Sequence, residues 1–363
     1  VKGLIYAGLG VPGHETWIEQ GITCLEHALS RQIASDGGHI SRSPRKLKDT
    51  ICVLLDLRAA IQQAGLPVPE ALQHAIDRMV PALRMFRYPD KSMGVFHDTR
   101  EGDSAHIDHI LQLAGVRART MTSMPDTGFE RIHQGKGFLL MDTGRAPPPG
   151  HDGHAHAGLL AFEFAYGKDR IFVNCGTHPV DEQWRELLRG TAAHSTLSLD
   201  HRNAEPVAAD GAIHRRAHAV QSHREDMDGA SLVDACHDGY YAINGITHRR
   251  RLYLGSNGGD LRGEENLTCT PGLSRMVEVA VRFHLHTGVK VSLIREGSEA
   301  LLRTASGTGW RFYHNGGGAL ALEDSVYLGG SGARPAKSKQ LVLHTRMRNC
   351  DHMCLKWACQ KEG

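Results

Sequence analysis

His151-Asp-Gly-His-Ala-His-Ala-Gly158, running into Leu159-Leu-Ala-Phe-Glu-Phe164, then Phe172-Val-Asn-Cys-Gly-Thr177 and Thr191-Ala-Ala-His-Ser-Thr-Leu197, is the stretch that decides how this chain is read. Short β-type runs follow a crowd of three histidines, and a fourth, His194, opens another run. His154 and His156 are two apart, so on an extended backbone they share a face. Two strand-borne imidazoles and one from a later strand can meet at a metal, or at a substrate held for proton transfer. The competing reading is a surface cluster in a histidine-rich chain, since 24 of 363 residues are histidine.

Upstream of this stretch the hydrophobic period is helical. Ile18, Ile22, Leu25, Leu29 and Ile33 form one stripe over 16–34, stopped by Asp36-Gly37-Gly38. Ser43-Pro44 reads as an N-cap and first helical residue, and Leu47, Ile51, Leu54, Leu55 and Ile61 form the next stripe. Pro69 opens a third helix, in which Pro81 threatens a kink, and a short helix fits 104–114. Residues 89–103 read as a polar loop. Short links between long amphipathic helices imply antiparallel neighbours.

From about residue 120 the period becomes two. Candidate strands are 137–142, 159–166, 170–175, 194–199, 246–254, 276–286, 289–295, 308–313, 319–328 and 339–344, with 201–230 a long polar excursion. Helices followed by many strands mean an α+β chain: a helical part over 1–120 and an antiparallel β part over 121–363.

Composition narrows the function. Forty-two basic against 40 acidic residues leave a net charge of +2, which argues against a duplex nucleic-acid binder. No apolar run of about 18 residues predicts a membrane span, and nothing calls for an organic cofactor or speaks to oligomeric state. The eight cysteines form no C-x-x-C pair; Cys350, Cys354 and Cys359 with His352 have poor spacing for a zinc knuckle. The chain begins at Val1 inside structured-looking sequence, so the natural N-terminus, with any signal peptide, is expected to lie upstream.

Four constellations carry chemistry. In Asp36-Gly-Gly-His-Ile-Ser-Arg-Ser-Pro44, His39 and Arg42 project from a glycine turn between helices; arginine pairs in a fork with carboxylate or sulfate, and histidine moves protons near neutrality. A linker with a capping Ser-Pro explains the same residues. The histidine cluster is second. Cys236-His-Asp-Gly-Tyr240 with Thr247-His-Arg-Arg-Arg251 is third: Tyr240 is a candidate phenolic acid, while three successive arginines on a strand cannot all face one ligand. Phe283-His-Leu-His286 is fourth.

In order, DGGHxxRSP between helices, AHAGLLAFEF, VNCG, AAHSTL, HDGY, HRR, RFHLH, WRF and EDSVYL resemble the heparinase II/III family of polysaccharide lyases over nearly the whole chain. The resemblance implies the last part of an incomplete α/α toroid followed by an antiparallel β-sandwich. It implies β-elimination on a uronic-acid-containing, possibly sulfated, acidic polysaccharide in the cell envelope or periplasm. Such chemistry needs the uronate carboxylate neutralised, a base for the adjacent ring proton, and an acid for the departing oxygen. Carried over, the catalytic positions are His39, Arg42 and His156, with the helical and β groups facing one groove. Some relatives bind Zn2+ through positions that fall on His154, Asn174 and His194, where Asn174 replaces an aspartate and a neutral amide is a poor zinc ligand. The tyrosine expected in the helical part has no clear counterpart; Tyr88, Phe96 and His97 are nearby. The alternatives are a non-catalytic carbohydrate-binding or scaffold relative and a metal-dependent hydrolase.

Overall fold

A computed structural model describes residues 1–363 except 209–210, 214, 271–274, 333 and 349–350. Five helices occupy the first third: α1 (Lys2–Gly10), α2 (Thr16–Gln32), α3 (Pro44–Gln63), α4 (Glu70–Met85) and α5 (Ser104–Ala114). Their ends follow local chemistry. Ser43 caps α3 by accepting from the Lys46 amide at 3.4 Å, and Asp103 caps α5 by accepting from Ala105 and His106. Gly115, at φ 69°, closes α5 in the left-handed conformation that glycine adopts without cost. The stripe read on α3 is buried, and α4 continues through Pro81. The weakly amphipathic α1 escaped the periodicity reading.

Two antiparallel sheets follow. In spatial order the first runs Ser123–Met124, Phe129–Gln134, Gly137–Asp142, Phe162–Tyr166, Asp169–Val173, Val277–Leu285, Ala336–Met347 and Ala319–Tyr327, with Leu197–Leu199 also beside Val277–Leu285. The second runs Lys290–Ile294, Glu299–Arg303, Gly309–Asn315, His352–Lys361, Asp260–Cys269, Ile246–Leu254, Ala230–His237 and Val220–Met227. Strand 246–254 matches its predicted span; those at 129–134, 230–237, 260–269, 299–303 and 352–361 were not read, and 220–227 lies inside the supposed excursion. Cys350 lies outside the described residues. Cys354 and Cys359 are an odd number apart on one strand, so they face opposite sides.

Strand Gly137–Asp142 shows how the layers join, because all six of its residues are buried. Leu139 and Met141 enter a core shared by the two sheets, with Phe162, Phe283, Phe312 and Trp357. Phe138 and Leu140 point the other way, into the core of α2–α5. A strand buried on both faces loses the polar alternation of a half-buried one. The helices therefore lie against the first sheet as a third layer.

Inside the sheet core sits a polar chain. The Gly239 amide donates to His237 Nδ1 at 3.0 Å, so His237 Nε2 carries the proton it donates to His248 Nδ1 at 3.2 Å. His248 Nε2 donates to Glu265 at 2.7 Å, and Arg250 and Trp357 complete that carboxylate's shell. Burial lowers the pKa of both histidines, and that of His284 to about 3. Their stabilising effect is present above the unfolded pKa of about 6.5 and fades as pH falls, each imidazole contributing up to about 1.4 kcal/mol per pH unit. Glu265 acts in the same direction: burial would raise its pKa, but Arg250 and His248 bring it to about 2. Melting temperature is therefore expected to drop steeply from about pH 6.5 downward, and a flat profile between pH 7 and 4.5 would contradict these assignments.

Candidate functional site

The site is built on the turn between α2 and α3. Asp36 accepts from the Gly38 amide (3.1 Å), the Thr127 hydroxyl (2.6 Å) and the amides of Asp126 (2.9 Å) and Thr127 (2.7 Å), clipping the helical turn to the start of the β part. The two glycines permit this approach. A Cβ on Gly37, at φ 78°, would sit 2.1 Å from the Arg78 carbonyl oxygen, and one on Gly38 1.8 Å from Thr127 Oγ1. Arg42 takes the left-handed conformation, φ 57°, that turns its side chain inward. Its Nε donates to Thr127 O at 2.6 Å, and its Nη2 to Gly128 O at 3.0 Å and to Asp142. The other Asp142 oxygen takes His97 Nε2 at 2.7 Å. Burial would raise the pKa of Asp142, but Arg42 and His97 hold it at about 2.

From His97 a lattice of neutral imidazoles extends, and backbone groups fix its proton positions. The His156 amide donates to His97 Nδ1 at 3.1 Å, so the His97 proton is on Nε2. The Asp98 amide donates to His156 Nε2 at 3.0 Å, so the His156 proton is on Nδ1. That proton goes to His194 Nε2 at 3.1 Å, and His194 Nδ1 donates to Gly190 O at 2.8 Å. Burial above all, with the neighbouring imidazoles adding to it, pushes His156 well below the ordinary histidine range and His194 to about 4. A further proton would put two hydrogens into one bond. His97 and Asp98 both have positive φ, 44° and 58°, a strain these bonds sustain. Gly158 makes room for the lattice: a Cβ there would meet the His194 ring at 2.8 Å.

His154, Asn174 and His194 do not converge as zinc ligands. The histidines lie on the loop before strand Phe162–Tyr166 and not on a strand, and that loop brings His156, not His154, against His194. Asn174 Nδ2 donates to Val95 O at 3.1 Å and its Oδ1 accepts from the Ser195 amide at 3.1 Å, so the amide is spent on the backbone. His194 has both nitrogens engaged. Among the described residues no group of three or more His, Cys, Asp or Glu is placed to hold a metal, and zinc does not fit this donor set.

What remains open is a different pair. His154 is 28% exposed, and its Nδ1 donates to Asp98 at 2.7 Å. Asp98 is buried, which alone would raise its pKa, yet His154, the Thr177 hydroxyl at 2.7 Å and Arg185 hold it below the ordinary range. Arg45 and Arg185 both reach Asp98 at 3.3 Å. Across from it, half-buried His39 accepts the Ser41 amide on Nδ1 at 3.1 Å, leaving the proton on Nε2. Burial, with His151, Lys46 and His154 nearby, lowers its pKa to about 4. Beside His39 opens a cavity of about 770 Å³ lined by Arg31, Asp126, Arg145 and Pro147.

Two family models match this chain, "Heparinase II/III N-terminus" over residues 1–116 and "Heparinase II/III-like, C-terminal" over 116–358. The chain belongs to the heparinase II/III family. FtsZ-localized protein C of Caulobacter vibrioides is 31% identical over 371 residues, which is 97% of this chain and 62% of that protein. A heparinase III gene product superposes with a TM-score of 0.81 at 15% identity, covering 99% of this chain and 58% of its own. The heparan sulfate lyase HepC of Pedobacter heparinus gives 0.78 at 16%, covering 99% and 59%. The last two likenesses show a heparinase III-like fold alone. The chain spans about three fifths of these relatives' lengths.

Within this family member, the structure redistributes the roles read from the sequence. Arg42 is locked onto Asp142 beneath the surface. Both nitrogens of His156 are engaged, so it braces the loops from within. Of the three catalytic positions read, His39 keeps Nε2 free, and Arg42, with its Nε and Nη2 bound, lines the cavity beside it. Tyr240 is buried with its hydroxyl on Leu197 O and Arg202 O. Of the three arginines, Arg250 is buried and Arg249 points out to Asp234. Tyr88 is buried beneath the Arg170 guanidinium at 4.0 Å. Asp98, Asp142 and Thr177 went unread as site residues, and His97 was named only as a neighbour of the missing tyrosine; the adjacent His97-Asp98 in a polar loop was the available signal.

Two outcomes follow. Arg42→Ala leaves Asp142 buried without its guanidinium and should lower stability in urea by about 3–5 kcal/mol, with Arg42→Lys little better because lysine lacks the fork; an unchanged midpoint would place Arg42 outside the scaffold. Elemental analysis of purified protein should find no stoichiometric zinc, and zinc that disappears with His156→Ala would overturn the donor assignment.

Proposed function

We propose that this chain carries the helical end of an α/α toroid and a β-sandwich, with 1–120 and 121–363 as its two domains, and that the groove between them cleaves a uronic-acid-containing polysaccharide by β-elimination. The observation that carries the reading is the Asp98–His154 pair. A carboxylate on Nδ1 sets the tautomer and leaves Nε2 as a lone-pair acceptor, the arrangement of an oriented general base. In this reading His154 Nε2 takes the proton beside the uronate carboxylate, and the C–H electrons form the double bond as the glycosidic C–O bond breaks. The departing oxygen takes its proton from solvent, to which His154 later returns its own, and neutral His39 hydrogen-bonds that oxygen through Nε2–H as charge develops. Arg45 and Arg185 supply the charge that offsets the carboxylate as it gains enolate character. A cell-envelope or periplasmic location belongs to the same proposal.

A second reading has its own support. The 31%-identical relative is named for its localisation with FtsZ and not for a reaction, and Tyr88 lies buried away from the groove. A carbohydrate-binding or scaffold role for the same fold accounts for both.

Ultraviolet absorbance of the unsaturated product separates the two readings, measured on the full-length protein with heparan sulfate and alginate. Elimination predicts absorbance that grows with time and falls roughly 10²–10⁴-fold in His154→Ala, with His156→Ala losing stability as well as rate. Binding without any absorbance change would favour the scaffold reading.

A further inference from the structure

Apart from the cavity beside His39 and sharing no lining residue with it, the outer face of the second sheet carries a depression of about 490 Å³. One rung of the ladder forms it: Tyr313 pairs with Ala358, Ala358 with Arg262, Arg262 with Tyr253, and Tyr253 with Leu232. Ala358 is the low point, because a methyl group there stands among larger side chains. The two tyrosines are three strand spacings apart, roughly 14 Å, a span suited to an oligosaccharide and too long for one sugar. The next rung sets Lys356, Glu264 and Arg251 side by side.

The chemistry of this face selects its ligand. The strands His352–Lys361, Asp260–Cys269 and Ile246–Leu254 are each paired on both sides, so their backbone groups are committed and no peptide can add as a further strand. Recognition must come from side chains, and what they offer is ring faces and cations. Among the lining side chains Arg251, Arg262 and Lys356 face one carboxylate, Glu264. Arg262 also pairs with Asp260 at 2.7 Å, Lys356 with Glu264 at 3.3 Å and Arg251 with Asp234 at 3.4 Å. Arg262 is 59% exposed and Lys356 63%, and such surface pairs are weak enough to open to a better anion. Arg262 lies over the Tyr253 ring, 5.7 Å from its centroid, so a sugar reaching that ring meets the guanidinium there and takes its place on the ring as Arg262 turns to the sugar's acid group.

We propose that this depression is a second, non-catalytic binding site for an acidic polysaccharide, with sugar rings against Tyr253 and Tyr313 and carboxylate or sulfate groups on Arg262, Arg251 and Lys356. It shares its ligand class with the groove reading and needs no catalysis there. A polymer held on this face would be kept near the protein between encounters with the groove.

Calorimetric titration of the full-length protein with heparan sulfate and alginate oligosaccharides tests it, on a His154→Ala background so that no cleavage intervenes. Tyr253→Ala/Tyr313→Ala is expected to weaken binding about tenfold or more. Tyr253→Phe/Tyr313→Phe, which keeps the rings, should bind nearly as the parent does. Arg262→Gln/Lys356→Gln should weaken binding and flatten its salt dependence. If the alanine pair disturbs folding, as circular dichroism would reveal, the glutamine pair carries the test. Parent-like affinity in the alanine and glutamine pairs overturns the proposal. So does the absence of any oligosaccharide binding, or binding of a poly-glutamate peptide at equal affinity lost with the same substitutions. Should the groove prove inactive, this titration still decides the outer site.

Discussion

Asp142 accepts Arg42 on one oxygen and His97 on the other, and the rest of the site depends on that shared buried carboxylate. Arg42 comes from the turn between two helices, His97 from a strained loop, and Asp142 from the end of a strand buried on both faces. Three segments far apart in sequence are thereby held at one point. An unpaired charge in such a place is strongly unfavourable, so the site cannot loosen one contact at a time. Asp36 adds a second tie a few residues away.

The neutral imidazoles continue this constraint into the β part. Each of His97, His156 and His194 has one nitrogen that must donate and one that must accept, because a backbone amide or carbonyl fixes the sense of the chain. Such a lattice is directional and intolerant of extra protons. It explains how a site crowded with histidines can use His97, His156 and His194 as braces and still leave His39 and His154 with nitrogens for a ligand. The division between bracing and ligand-facing imidazoles comes from burial and hydrogen-bond sense, not from residue type.

That division marks how far the sequence could be read. The α3 stripe, the change of period near residue 120 and the strand at 246–254 were legible because periodicity records which face is buried. Gly137–Asp142 was legible as a strand, though not as the junction of two cores, since an apolar run does not say what covers each side. The alternation of His154 and His156 was visible, but which of them turns inward depends on the register against the loop at 97–98, nearly 60 residues away. Arg42 read as ligand-facing because it projects from a glycine turn that matches the family's cleft motif; its positive φ, which turns it toward Asp142, leaves no mark on the sequence. The long polar strands of the second sheet were missed because their outer faces carry charge where a strand signal would show aromatic or β-branched residues.

The most direct test of this account is the protonation and tautomer of the buried imidazoles, read from ring nitrogen and carbon shifts in histidine-labelled protein with assignment by single substitution. The account predicts His97 as the Nε2–H form and His156 and His194 as Nδ1–H forms, all three neutral from pH 8 down to the acid unfolding transition. Imidazolium signals for His156 or His194 in folded protein near pH 6, or the opposite tautomers, would contradict it.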